Sequence, residues 1–255
     1  MSAEPTERLK LVIAYDGRAF SGWQSQAKRN GVQDHLEAVL QKFLGYRVVV
    51  HGSGRTDSGV HALGQVAHAE VPSGRLTAEK WRDLLNGHLV HEVRILRCTL
   101  VRGGRDGFHA RFDVRGKRYT YRIWNERWMH PMEIGRAWHD PLPLDLPTLR
   151  AAAELLVGTH DFAGFAANRG TPVEDTTRTI HRILIQRRGP LITLHFEGQG
   201  FLYHMVRLLT GTLARVAHGR ASLDTIRDLL ARRGPEKTHY LAPAEGLYLA
   251  KVFYK

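Results

Sequence analysis

The stretch HGSGRTDSGVHA, His51 to Ala62, sets one carboxylate, Asp57, among Gly52, Gly54 and Gly59, with Ser53, Ser58 and Arg55 beside it. A segment so rich in glycine buries little surface of its own and suits a loop that carries a reactive group to a ligand. Several chemistries can be tested on its letters. Gly54 and Gly59 have the spacing of a phosphate-cradling loop, but Val60 and His61 stand where Lys and Ser or Thr are required. A dinucleotide fingerprint fails because Asp57 occupies the third glycine position. Asp57-Ser58-Gly59 matches the triplet of aspartic proteases, whose two carboxylates share a proton. The chain holds no second such triplet, so only a homodimer could complete the pair, and Arg55 would keep Asp57 ionised, the wrong state for sharing. No G-x-S-x-G supports a serine hydrolase on Ser53 or Ser58, and a two-carboxylate glycosidase lacks a second acid nearby. His88 and His91, His61 and His68, and His204 and His218 come without the three or four converging ligands that zinc needs. The single Cys98 excludes a CxxC site and an intrachain disulfide, and suits a small buried residue in a reducing compartment. What remains is one aspartate beside a guanidinium, held as an anion and therefore a nucleophile before a general acid. A structural turn in which Asp57 only caps backbone N–H groups stays open beside that reading.

Charge narrows the partner. Lys and Arg number 37 against 25 Asp and Glu, a formal net charge of +12, and 29 of the cations are Arg. Such a balance points to a polyanion, nucleic acid before membrane, with a merely solvated basic surface as the alternative. Arg102, Arg105, Arg111, Arg115, Lys117, Arg118 and Arg122 crowd one segment and interleave with Phe108, Phe112, Tyr119 and Tyr121. That mixture clamps phosphates and stacks bases. The opening MSAEPTERLK has no apolar core of a secretory signal and no apolar run reaches the 18 or so residues of a membrane span, so the expected location is cytoplasmic.

The elements that must position these groups follow from periodicity. LKLVIAY (9–15) alternates as a strand. Val32, Leu36, Val39, Leu40, Phe43 and Leu44 mark a helix that Gly45 stops. YRVVVHG and GQVAHAEV read as strands flanking the Asp57 loop, Thr77 caps a helix ending at Asn86-Gly87, and VRILRCTLV closes a β-α-β-β-α-β set, the ferredoxin-like order. The second half nearly repeats it. KRYTYRIW is a strand with GRAWH expected beside it, and a helix spans 148–157. TIHRILIQRR and LITLHFEG form a hairpin at Gly189-Pro190, helices span 202–218 and Ser222 to Gly234-Pro235, and GLYLAKVFY is the last strand. The expected fold is α+β: two ferredoxin-like halves, residues 1–104 and 105–255, in a mostly antiparallel sheet flanked by helices, with the active cleft between the halves.

Five blocks taken together, YDGRAFSGWQ, GRTDSGVHA, FHARF with KRYTY downstream, GQGFLYHMVR and APAEGLYL, resemble the tRNA pseudouridine synthase A family, in the family's order and over residues 9 to 254. The resemblance implies an isomerase that converts uridine to pseudouridine at positions 38, 39 and 40 of the tRNA anticodon stem-loop. It needs no metal or cofactor and works as a homodimer with one tRNA spanning both subunits. It gives Asp57 the role of covalent nucleophile, with attack at ribose C1′ or at uracil C6 both open. Tyr119 resembles the residue stacked on the target base, Arg207 the arginine paired with the catalytic aspartate, and Leu247 the apolar residue under the uracil ring. Arg55 resembles the arginine that takes the space of the extruded nucleotide. Extrusion costs a few kcal/mol, to be recovered from stacking and phosphate contacts, for which Lys117, Arg118 and Arg111 are the leading candidates. A non-catalytic RNA-binding protein and an RNA N-glycosidase remain as the rival readings.

Overall fold

The computed structural model describes residues 5–104, 106–167, 174–231 and 237–255, and the chain divides into two units. The first comprises Met1–Arg115 and Leu249–Lys255, the second Gly116–Tyr248.

In the first unit β1 (Thr6–Tyr15) runs between two antiparallel neighbours, β3 (His61–Pro72) and β4 (Val93–Val101). Its alternate residues Leu9, Leu11 and Ile13 are fully buried, each stabilising the fold by roughly 1.5–3 kcal/mol. α1 (Val32–Leu44) buries Leu36, Leu40 and Leu44 and ends at Gly45, whose φ of 79° is the left-handed stop that its sequence position predicts. Thr77 caps α2 (Ala78–His88) through Lys80 N, and α2 packs on β4. The helix runs past Asn86-Gly87, where a stop was expected, because Leu89 N still donates to Leu85 O at 2.9 Å. β2 is only His51–Gly52, paired with β3, whereas the expected strand covered 46–52. Val48 and Val50 are buried and Val49 exposed, so the alternation is real, but Val50 N donates to the Glu37 side chain of α1 in place of a ladder bond. The order β4-β1-β3-β2 is ferredoxin-like.

β5 (Gly116–Trp124) opens the second unit and continues into an antiparallel series with β9 (Leu191–Gly198), β8 (Thr177–Arg188) and β7 (Gly158–Asp161). β6 (Trp138–His139) lies parallel to β5, the GRAWH pairing read from the sequence. Arg188 pairs with Leu191 across Gly189-Pro190, as expected. α3 (Leu146–Glu154) is capped by Asp145, and α4 (Met205–Ala217) packs on α3. α5 (Leu223–Leu230) begins after Ser222; the Gly234-Pro235 stop, like Arg105 of the basic segment, lies outside the described residues. β7 was missed, since GTHD is too short and polar to alternate. β10 (Leu247–Phe253) is the last strand.

The unit boundary also differs from the expected 104/105. The FHARF segment folds onto the first unit, because Ala110 N donates to His68 Nδ1 at 3.1 Å and Tyr254 Oη donates to Ala110 O at 2.6 Å. Residues 249–255 return there with Arg115 N donating to Phe253 O at 2.8 Å.

Candidate active site

The Asp57 loop leaves β2 and enters β3, and hydrogen bonds, the strongest of them buried, fasten it on either side of Asp57. Ser53 Oγ donates to Gln65 Oε1 at 2.7 Å, while Gln65 Nε2 donates to Gly54 O at 2.9 Å. Gln65 has no exposure, so leaving either end unpaired would cost about 1–3 kcal/mol. Thr56 Oγ1 bonds Tyr15 Oη at 2.7 Å, and burial pushes the Tyr15 phenol upward so that it stays protonated. Thr56 O accepts from Trp23 N at 3.1 Å, Asp57 O from Val60 N at 3.1 Å, and Ser58 Oγ donates to Phe20 O at 3.2 Å. Trp23 and Phe20 belong to YDGRAFSGWQ, so two of the sequence blocks lie against each other. Gly22 makes that approach possible. Its φ is +96°, and a β-carbon there would sit 2.5 Å from Thr56 O and 3.1 Å from the Asp57 carbonyl carbon.

The side chain of Asp57 belongs to a half-buried residue between these two anchored limbs. Arg55 is exposed and Nε donates to Gln24 Oε1 at 3.0 Å. The neutral amide of Gln24 is thus a partner of the Arg55 guanidinium. Asp16 is held below the usual carboxylate range by its hydrogen bonds to Arg18. His61, 3% exposed, accepts from Gly17 N at Nδ1 (3.1 Å), which makes its 3.3 Å approach to Asp16 something other than an ion pair.

In the second unit one segment, 240–247, is held by Arg207 and leads to Leu247, with Tyr119 on β5. Arg207, in the first turn of α4, donates from Nε to Ala242 O at 2.7 Å and accepts from Ala242 N through its own carbonyl at 3.2 Å. Gly211, one turn on, brings the helix backbone against Tyr240, where any β-carbon would sit 1.8 Å from the carbonyl oxygen. From the opposite side Tyr121 Oη donates to Pro243 O at 2.7 Å. The segment therefore delivers Leu247, 5% exposed, to the start of β10. Tyr119 lies two residues from Tyr121 on the same face of β5, 9% exposed, with its ring edge-on to Phe201 at 5.1 Å. Sequence reading missed Tyr121, Gln65 and Gln24 as supports. The one available signal was a pair of polar residues, Gln33 and Glu37, inside the apolar stripe of α1.

The basic segment is less available than its composition suggests. Arg118 is bound to Glu197 (Nη2 to Oε1, 2.7 Å) and Arg122 to Glu133 at 2.8 Å. Arg111 is exposed, its guanidinium 5.8 Å from the Phe112 ring centre, and Lys117 is half-buried. The histidine pairs do not converge on a metal. His61 and His68 are seven residues apart on β3, hence on opposite faces. His204 and His218 bracket α4, roughly 20 Å apart. His218 Nε2 faces Asp140 Oδ2 at 2.9 Å, and Nδ1 faces Pro143 O at 3.1 Å. His51, His68 and His109 do cluster, ring centres 4.6–5.9 Å apart, beside a cavity of about 310 Å³ in the first unit. His68 and His109 both use Nδ1 to accept backbone N–H groups, which leaves Nε2 protonated and unfit to bind a metal. Among the described residues no group of three or more His, Cys, Asp or Glu is placed to hold a metal, and no helix is long and apolar enough to cross a membrane.

The family described as tRNA pseudouridine synthase matches residues 11–113 and 152–255. A protein of Akkermansia muciniphila named tRNA pseudouridine synthase A is 42% identical over 97% of this chain and 95% of its own length. Proteins of the same name from Geobacillus kaustophilus and Synechocystis are 40% and 38% identical over 98% of this chain, and 95% and 90% of theirs. A solved Cbf5-Nop10-Gar1 complex overlaps 81% of this chain and 44% of that one at 10% identity with a TM-score of 0.38, too weak to argue from.

Proposed function

The chain belongs to the tRNA pseudouridine synthase family, and from that premise we propose that it isomerises uridine to pseudouridine in tRNA with Asp57 as the nucleophile. The supporting observation is how the Asp57 loop is tied: Ser53, Gly54 and Thr56 before it and Ser58 after it are each hydrogen-bonded to neighbouring segments while the carboxylate-bearing residue stays half-exposed. A nucleophile held this way reaches its target without first ordering its own loop.

The reaction needs the C1′–N1 bond broken and a C1′–C5 bond made. Attack by Asp57 at C1′, with departure of the uracil anion, or addition to C6 of the base, each gives an enzyme-linked intermediate. Rotation of the base then presents C5 to the sugar carbon. The hydrogen of C5 leaves as a proton and N1 gains one, so substrate and product are isomers and no electrons enter or leave. Tyr119 stacks on the base and Leu247 lies under it, while Arg207, fixed through Ala242, supplies positive charge to the carboxylate. Arg55, exposed at the loop, fills the space of the extruded nucleotide. Lys117 and Arg111 serve the RNA backbone, with Arg118 contributing less because Glu197 already neutralises it. By the same resemblance the target lies at positions 38, 39 and 40 of the anticodon stem-loop, and the enzyme works as a cytoplasmic homodimer.

The test uses unmodified tRNA labelled with tritium at uridine C5. Pseudouridine formation releases tritium without free uracil. A glycosidase would free the base, and a binding protein would release neither. Asp57→Asn should slow tritium release by on the order of a thousandfold or more; wild-type speed in that variant would overturn the assignment.

A further inference from the structure

The block YDGRAFSGWQ supplies Phe20, Gly22 and Trp23 to the Asp57 loop, yet its last residue has no part in the reaction as drawn. Gln24 lies on a line of hydrogen bonds that starts inside α1 and ends at Arg55. Glu37, 8% exposed, accepts at Oε1 from Val50 N (3.0 Å) and from Gln33 Nε2 (2.8 Å). Gln33, 7% exposed, accepts at Oε1 from Gln24 Nε2 (2.8 Å) and from Ser25 N (3.0 Å). Gln24 Oε1 in turn accepts from Arg55 Nε at 3.0 Å.

The direction of this line is fixed at both ends. An ionised carboxylate only accepts and a guanidinium only donates. Each amide between them therefore has a single orientation that satisfies both neighbours, and reversing either glutamine would set two donors or two acceptors face to face. The buried end cannot relax toward water. The arrangement consequently holds the Gln24 carbonyl toward Arg55, and Arg55 is a long, exposed side chain that would otherwise sample many rotamers.

We propose that Gln24 is a positioning residue for Arg55, pre-ordering the guanidinium for entry into an RNA stem as the target nucleotide leaves it. This rests on the reading of Arg55 as the group that fills the vacated space. Gln24 touches no reacting atom. It lowers the ordering cost of one side chain, an effect worth about 3- to 10-fold in rate where insertion is required and little where it is not.

Two RNA hairpins labelled with tritium at C5 of the target uridine separate these cases. One carries the uridine paired in its stem, the other opposite a mismatched pyrimidine. Single-turnover rate constants, which are insensitive to an inactive fraction, are compared as the ratio of paired to mismatched. Gln24→Leu should lower that ratio about 3- to 10-fold, and Arg55→Ala should lower it at least as far. In the Arg55→Ala background Gln24→Leu should change nothing further. A wild-type ratio in Gln24→Leu, or a further fall in the double variant, overturns the proposal while Arg55 keeps its role. A wild-type ratio in Arg55→Ala overturns the reading of Arg55 and the proposal with it. Neither result touches Asp57, whose own variant is read by tritium release on both hairpins.

Discussion

Replacing Gly22 by alanine tests whether the YDGRAFSGWQ segment sets the position of Asp57, proposed above as the nucleophile. The residue has φ +96°, and its added β-carbon would lie 2.5 Å from Thr56 O, with the Asp57 carbonyl carbon at 3.1 Å and Ser58 N at 3.2 Å. All three are backbone atoms, so no flexible side chain can turn aside. Ordinary contact begins at 3.4 Å, so the Thr56 carbonyl must withdraw by about 0.9 Å, or the Gly22 backbone must move as far. Displacement of a reacting group by about 1 Å costs roughly 100-fold in rate, or ~2.7 kcal/mol of barrier. Positive φ adds about 1–2 kcal/mol of strain to the folded state. Gly45→Ala is the matched control: φ is +79° there too, but nothing lies within 4 Å of the added carbon. It should carry the strain alone, lowering Tm by a few degrees with tritium-release rates unchanged. Gly22→Ala should melt lower still and lose about two orders of magnitude in single-turnover rate. If both variants keep wild-type rates, the loop is not held by this contact and the argument from Gly22 to Asp57 fails.

The buried pair of His218 and Asp140, with side chains 9% and 6% exposed, ties the end of α4 to the 140–145 connector. His218→Ala should cost about 3 kcal/mol or more in urea unfolding, by stranding Asp140; a loss under 1 kcal/mol would show the pair to be dispensable. Acid sensitivity should come in part from His68, whose pKa is pushed down to about 3 by burial first, then by Arg8, His109 and His51. The folded state resists a proton that the unfolded chain accepts near 6.5, so this stability is complete above that value and drains away between about pH 6.5 and 3. His68→Gln, which keeps an acceptor for Ala110 N, should flatten the slope of unfolding free energy against pH across that window; an unchanged slope would remove His68 as a source.

Much of the fold was legible because its strands and helices bury one face each. Leu9, Leu11 and Ile13 announce β1, and the apolar stripe of α1 with Gly45 behind it announces a helix and its end. What escaped was set by partners far away in the chain. YRVVV alternates like a strand, yet Val50 gives its N–H to a helix carboxylate. Arg118 reads as a free cation until Glu197, 79 residues on, is folded against it. The motif blocks point to Asp57, the proposed nucleophile, because the letters that suggest it are neighbours in the chain. Their supports were not readable, because Gln65, Tyr121 and the Gln24–Gln33–Glu37 line are ordinary letters whose meaning depends on burial.

The first unit is assembled from both ends of the sequence, and this has a consequence during synthesis. A ribosome making about 5–20 residues per second completes residues 1–115 on the order of ten seconds before it delivers 249–255. Throughout that interval β3 lacks the neighbour that β10 will provide, and the backbone of an uncovered strand edge invites pairing with other nascent chains. Chains that stop short of residue 249 therefore keep that edge of β3 open to pairing, and residues 249–255 close it.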